Sequence, residues 1–391
     1  MALSVQQRHE SAPHPADVSK KTEIPGGHLE ILSKTWRSGA RYQVENVTQR
    51  GGLGVACVVR DRELDRLVAM RVIGIGSEGL PPIPMEELPP GWVERFLEEA
   101  RILAQLEHPG ILPIHDLGLD SEGRLYFTTP LVQGRRLSEK VCPAREQSGG
   151  WNHNRVIRAF LQACEAVAYA HQQGVLHRNL KPDNILVGDL GQVYVIDWGV
   201  ACAHGRPDLH DLRPRTASAS MPYDIPTPGT AFTTVAVPND APIVTRDGTV
   251  LGIPAYMPPE QAHGQMTSLS ARSDVYSLGA ILYELIQGHG PYLDATPSPS
   301  ARQVLDGIRA GPPSDLQLPA WKRGAGLVAI CNKAMQREPM ARYAHAGELV
   351  EELRGWIDDQ TAADCRPHAF TRLKGWILRL RSFLPGRSVP G

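Results

Sequence analysis

The residues able to do chemistry gather in a few short runs. The stretch His177-Arg178-Asn179-Leu180-Lys181-Pro182-Asp183-Asn184 packs cations, amides and a carboxylate into one loop-length segment. Asp197 follows in the triplet Asp197-Trp198-Gly199. Carboxylate and amide oxygens of this kind suit a hard divalent cation. Upstream, the glycine run QRGGLGVA (49–56) would let backbone N–H groups approach phosphates. Taken alone, that run is equally well read as a plain hairpin turn. Arg71 closes the run VAMR, and Glu99 lies in RFLEEARIL, offering a cation and a carboxylate that can pair.

These residues need elements to hold them. YQVENV, GVACVV and LVAMRVI, separated by turn residues, predict an antiparallel meander from Arg41 onward. The five prolines of 76–91 predict a loop. Phe96, Ala100, Leu103 and Leu106 then recur at helical spacing. Two more strand-like runs follow, ILPIHDLGL and RLYFTTPLV. From Trp151 helices dominate, beginning with RVIRAFLQACEAVAYAHQQG, which should end at Gly174, and continuing near 275–287, 300–309, 325–336 and 345–358. A β-rich first third before a helix-rich remainder predicts an α+β protein with two lobes.

The glycine run, VAMRVI (68–73), HRNLKPDN, DWG, PPE (258–260) and SDVYSLG (273–279) are weak signals singly but specific together, in this order. The chain resembles the eukaryotic-like serine/threonine protein kinases of bacteria over about residues 41–358. That resemblance implies a bilobal protein-kinase-like fold, with a β-rich small lobe over about 39–132 and a helical large lobe over about 133–358. It also implies ATP and Mg2+ as cofactors. By position, Gly51, Gly54, Ala56, Ala69, Arg71, Thr129, Pro130, Val132 and Leu186 would line the nucleotide cleft. Thr129 would be the gatekeeper. Pro130 would offer only its carbonyl to adenine, and Val132 its N–H. Lys181 would contact the transferred phosphate, and Asn184 with Asp197 would hold the metal. Glu260 with Arg342, Asp274, and the group Leu103, His177 and Trp198 match the parts that brace the fold.

The chain departs from the family pattern where the chemistry is done. Gln49 replaces the first loop glycine. Arg71 replaces the strand lysine, and a forked guanidinium is not interchangeable with an ammonium at a shaped site. No lysine occurs between Lys34 and Lys140 to stand in for it. Asn179 replaces the catalytic aspartate, and an amide cannot accept the hydroxyl proton. Ile253 replaces a threonine whose hydroxyl would join that aspartate. The expected reading is a pseudokinase with a regulatory or scaffolding role that still binds ATP and Mg2+. An active serine/threonine kinase with a non-standard site, and an interaction module without nucleotide, remain open.

The rest of the sequence bounds the setting. The 391 residues carry 41 basic and 42 acidic side chains, so no global field points to nucleic acid. Scattered cysteines without a CxxC pair fit a reducing, cytoplasmic compartment. The first residues lack the apolar stretch of a secretory signal, and no run is long enough to span a bilayer. Residues 1–38 read as a flexible arm, and 202–245, rich in Pro, Ser, Thr and Ala, as an activation-segment insert. Thr216, which follows Arg215, and Ser218, Ser220 and Thr227 there are candidate phosphorylation sites or part of a tolerated insertion, with Arg178 available to grip a phosphate. Residues 359–391 form a basic tail in which 370–384 reads as an amphipathic helix. It fits either peripheral membrane contact or packing on the large lobe. A protein partner or client kinase is the expected partner.

Overall fold

The computed structural model describes residues 41–51, 54–74, 87–88, 91–120, 123–141, 153–203, 254–293, 299–316 and 324–364. The arm, the body of the activation insert, Ile253 and the segment 370–384 lie outside the described residues.

Strands β1 (Tyr42–Gly51), β2 (Gly54–Asp61), β3 (Arg66–Ile73), β4 (Asp116–Leu119) and β5 (Leu125–Pro130) build one antiparallel sheet in the order β1-β2-β3-β5-β4. Period-two alternation sorts their side chains. Val55, Cys57, Val59, Val68, Met70 and Val72 bury on one face in a compact cluster. Register fixes what shares the other face. Ala56 pairs with Arg71, Ala69 with Thr129, and Arg71 with Phe127. Phe127 meets Phe96 of α1 (Trp92–Gln105), with ring centroids 5.0 Å apart, so this face looks toward the helix. The expected strand 111–119 begins only at Asp116. Pro113 has no N–H to give a ladder, although the His115 N–H still reaches the Thr128 carbonyl at 2.8 Å.

The second half is mainly helical: α2 (Ser138–Val141), α3 (His153–Gln172), α4 (Pro259–Ala262), α5 (Ala271–Gln287), α6 (Ala301–Ala310), α7 (Gly324–Ala334) and α8 (Ala346–Asp364). Gly174 follows α3 in the left-handed conformation, φ 73°, as its position predicts. A capping box between Ser270 and Ser273 starts α5, and left-handed Gly288 ends it. Helix α8 runs to Asp364, past the expected domain end at 358, so the first residues assigned to the tail are helical. Short strands β6 (Gly134–Arg136), β7 (Val175–Leu176), β8 (Ile185–Gly188), β9 (Val193–Val195) and β10 (Cys202–Ala203) frame the loop between the lobes, and β10 pairs with β7 at the start of the expected insert. The largest buried cluster among the described residues joins the halves. It runs from Phe96, Leu103 and Phe127 through Val195 and Trp198 to Leu278 and Leu353. This is an α+β, bilobal protein-kinase-like architecture.

Candidate functional site

The candidate residues come from the sheet face of Ala56, Ala69, Arg71 and Thr129, from β8 and from the loop 177–184. Ala56, Ala69, Thr129, Pro130, Val132 and Leu186 are all half-buried, as residues lining a cleft are. Gly51 and Gly54 pair across the β1–β2 turn. Gly54 sits so close to β3 that a Cβ there would collide with the Val72 carbonyl.

Arg71 reaches across to α1. Its Nη1 donates to Oε1 of Glu99, whose side chain is 3% exposed. Burial pushes the Glu99 carboxyl up to about 7; the guanidinium pulls the other way, and the Asp197 carboxylate adds to the rise. Among the described residues Glu99 Oε2 has no hydrogen-bond partner. The pair also presses on the DWG triplet. A Cβ on Gly199 would lie 3.2 Å from Glu99 Oε2 and 3.4 Å from Arg71 Nη2, so the fork and a side chain at 199 compete for one space.

The loop 177–184 is fixed from below. Asp274 of α5 accepts the backbone N–H groups of His177 (2.7 Å) and Arg178 (2.8 Å) and bonds His171 Nε2 at 3.0 Å. Burial works to raise the Asp274 carboxyl, yet these donors, His171 foremost, leave it below its ordinary value. His171 Nδ1 accepts the Ala346 N–H at 3.2 Å, so its Nε2 carries the proton given to Asp274. The brace holds Arg178 in the left-handed region, φ 61°, which is costly for a side chain of this kind. Arg178 Nε donates to the Val200 carbonyl at 2.8 Å, so this candidate phosphate grip is tied to the segment after DWG.

His177 is buried, its imidazole pushed toward the neutral form by desolvation. Its ring lies 4.6 Å from that of Trp198. Trp198 packs in the same core as Leu103 and donates its indole N–H to the Val195 carbonyl at 3.1 Å. The resemblance places it only among the parts that brace the fold. A buried indole must place its N–H, and that was the available signal. Glu260 and Arg342 meet in a two-pronged pair at 2.8 and 2.9 Å, with Ser273 Oγ adding a bond at 2.8 Å. Gln261, next to it, reaches the Arg178 carbonyl at 3.4 Å.

The expected metal pair and the altered catalytic position form one cluster. Asp197, itself left-handed at φ 65°, accepts on a single oxygen, Oδ2, from Asn179 Nδ2 at 3.0 Å and from Asn184 Nδ2 at 3.4 Å. Asn184 Nδ2 also donates to the Asn179 carbonyl at 2.7 Å. Mg2+ demands near-octahedral oxygen ligands and leans on carboxylates. Here one carboxylate is present, and one of its oxygens already takes two N–H donors. No group of three or more His, Cys, Asp or Glu suited to a metal occurs among the described residues. That donor set does not fit a tightly held divalent cation. Lys181 stands two residues from Asn179, half-buried, without a side-chain hydrogen bond or ion pair to the described residues.

Comparison with known proteins agrees with this geometry. Residues 42–221 match the protein kinase domain family. The serine/threonine-protein kinase PknD of Protochlamydia amoebophila (strain UWE25) is 29% identical over 346 residues, covering 85% of this chain and 32% of that protein. PknD of Chlamydia muridarum is 29% identical over 346 residues (86% and 34%), and that of Chlamydia felis 28% over 320 residues (80% and 30%). The chain thus spans about a third of the length of the curated relatives it matches. No helix among the described residues is long and apolar enough to cross a membrane. With its β-rich small lobe, helical large lobe and braced loop, the chain has a protein-kinase-like fold; residues 42–221 match the protein kinase domain family, and most of the chain is similar to a part of bacterial serine/threonine-protein kinases.

Proposed function

We propose that this domain is a pseudokinase: a nucleotide-binding regulatory or scaffolding protein with little or no phosphotransfer. The observation that carries the reading is the Asn179–Asp197 hydrogen bond. It puts an amide donor where a base would have to accept the substrate hydroxyl proton. Losing a general base slows a reaction by ~10²–10⁴, and losing a group that stabilises transition-state charge costs roughly 10²–10³ more, although such losses are not additive. From the ~1–100 per second typical of kinases, even one such factor leaves little. ATP remains the expected ligand. Ala56, Ala69, Leu186 and the Thr129–Val132 segment would hold adenine, and Asn184 with Asp197 would hold Mg2+ weakly. On this reading the partner is a protein or client kinase in the cytoplasm, with peripheral membrane contact through 370–384 as an added anchor.

The rival reading, an active serine/threonine kinase, draws on two features: Lys181 is not tied to a described side chain, and Arg71 still engages Glu99. Intact-mass measurement of γ-phosphate incorporation separates the two. The native chain is run beside an Arg71→Lys, Asn179→Asp, Ile253→Thr triple variant. Phosphate on the triple variant alone supports the pseudokinase reading. Phosphate on the native chain, abolished by Asp197→Ala, overturns it.

A further inference from the structure

We propose that this site binds its nucleotide as the free polyphosphate, with an affinity that does not depend on a divalent cation. The proposal deepens the nucleotide-binding reading above and rests on it. It starts from the cluster Asn179, Asn184 and Asp197.

A kinase-type cleft with aspartates at both positions confronts a polyphosphate with two carboxylates in one pocket. Like charges so placed repel the incoming anion, and only a bridging cation reverses the sign of that contact. Here the second carboxylate is missing. Asn179 contributes a neutral amide, and its N–H is spent on Asp197 Oδ2 at 3.0 Å. Asn184 directs its own N–H toward the same oxygen at 3.4 Å and is tethered to the Asn179 carbonyl at 2.7 Å. The remaining carboxylate is therefore already stabilised by two donors from its own chain. A cation seeking Oδ2 would have to displace both.

The formal charges nearby also balance. Arg71 offsets Glu99, to which it is bonded, and in the formal count Lys181, unpaired among the described residues, supplies one positive charge against the one negative charge of Asp197. With aspartate at 179 the same set would carry one net negative charge. The amide thus does internally part of what a metal does elsewhere: it relieves the Asp197 charge before the phosphates arrive. The geometry favours ATP or ADP without metal and gives the metal little to add.

Isothermal titration of the full chain with ATP tests this, once in excess EDTA and once in millimolar MgCl2. The expected result is a Kd in EDTA within about threefold of that in magnesium. In Asn179→Asp, binding in EDTA should weaken by at least about tenfold and recover when magnesium is added. A native chain that binds at least tenfold more weakly in EDTA overturns the inference and leaves the nucleotide reading standing. Absence of binding in both buffers removes the nucleotide reading and this inference with it. An Asn179→Asp protein that binds equally in both buffers would show that the amide is not the cause. Melting curves of the variant verify that it is folded, and if it is not, the native comparison alone decides.

Discussion

Replacing Arg71 with methionine isolates the ion pair at the centre of the cleft. Methionine keeps an apolar stem and removes the charge from beside Glu99, which is 3% exposed. Breaking a buried pair from one side costs about 3–5 kcal/mol when the orphan stays ionised. Glu99 has a cheaper escape. Burial already pushes its carboxyl up to about 7 from an ordinary 4.5, and without the guanidinium it climbs further and takes a proton instead. A carboxyl whose folded pKa lies above its unfolded one binds more protons folded than unfolded. Stability therefore falls as pH rises from the unfolded value to the folded one, and is level beyond. In the native chain that decline runs from about 4.5 to about 7. In Arg71→Met it continues above 7, at up to about 1.4 kcal/mol per pH unit. The stability gap between the two proteins should widen by about 1–2 kcal/mol between pH 6 and pH 8. At about 1.5 °C per kcal/mol for a domain longer than about 250 residues, that adds roughly 1.5–3 °C to the difference in melting temperature. Scanning calorimetry at pH 6, 7 and 8 reads it. A gap that is constant with pH, or one that narrows toward pH 8, refutes the assignment of the penalty to Glu99.

Two further substitutions probe what holds the loop. Arg342→Ala orphans the Glu260 carboxylate, which is 5% exposed, and should destabilise by about 3–5 kcal/mol in urea unfolding; the double change Glu260→Leu, Arg342→Met should recover part of that loss, and no recovery would assign the cost to packing instead. Trp198→Phe keeps the apolar contact with His177 but removes the indole N–H to the Val195 carbonyl, and should cost about 1 kcal/mol by the same measurement.

Local patterns were legible from the sequence wherever burial is periodic. Val68, Met70 and Val72 alternate because β3 buries one face, and Phe96, Ala100 and Leu103 recur because α1 buries one stripe. The Arg71–Glu99 and Glu260–Arg342 pairs were legible through resemblance, since their positions are set by elements that the motifs mark. What escaped depends on side-chain direction and on backbone in rare conformations. Asn179 and Asp197 are polar residues in two loops, and nothing in their spacing says that the amide turns its N–H onto the carboxylate; the left-handed turn at Asp197 decides that. Likewise the motif marks Gly199 but not the side chains that crowd it. Glu99 Oε2 and the Arg71 guanidinium, brought there from α1 and β3, are tertiary neighbours that local spacing does not show. His171 escaped because a histidine near a helix end has no periodic signature, while its role comes from Asp274 and Ala346, both distant in sequence.

That distance has a consequence for how the protein is made. The bonds that shape the loop join His177 to Asp274 across 97 positions and His171 to Ala346 across 175. Contacts of such long sequence separation form late, after the loop-closure entropy has been met. During synthesis the strands and α3 emerge well before their brace. Until α5 leaves the ribosome, the backbone N–H groups of His177 and Arg178 lack their Asp274 acceptor. A fragment ending at residue 221, where the family match stops, contains every chemical group of the cleft but not Asp274. Such a fragment would carry the composition of the site without its shape, and expression trials that trim the chain should keep everything through α8.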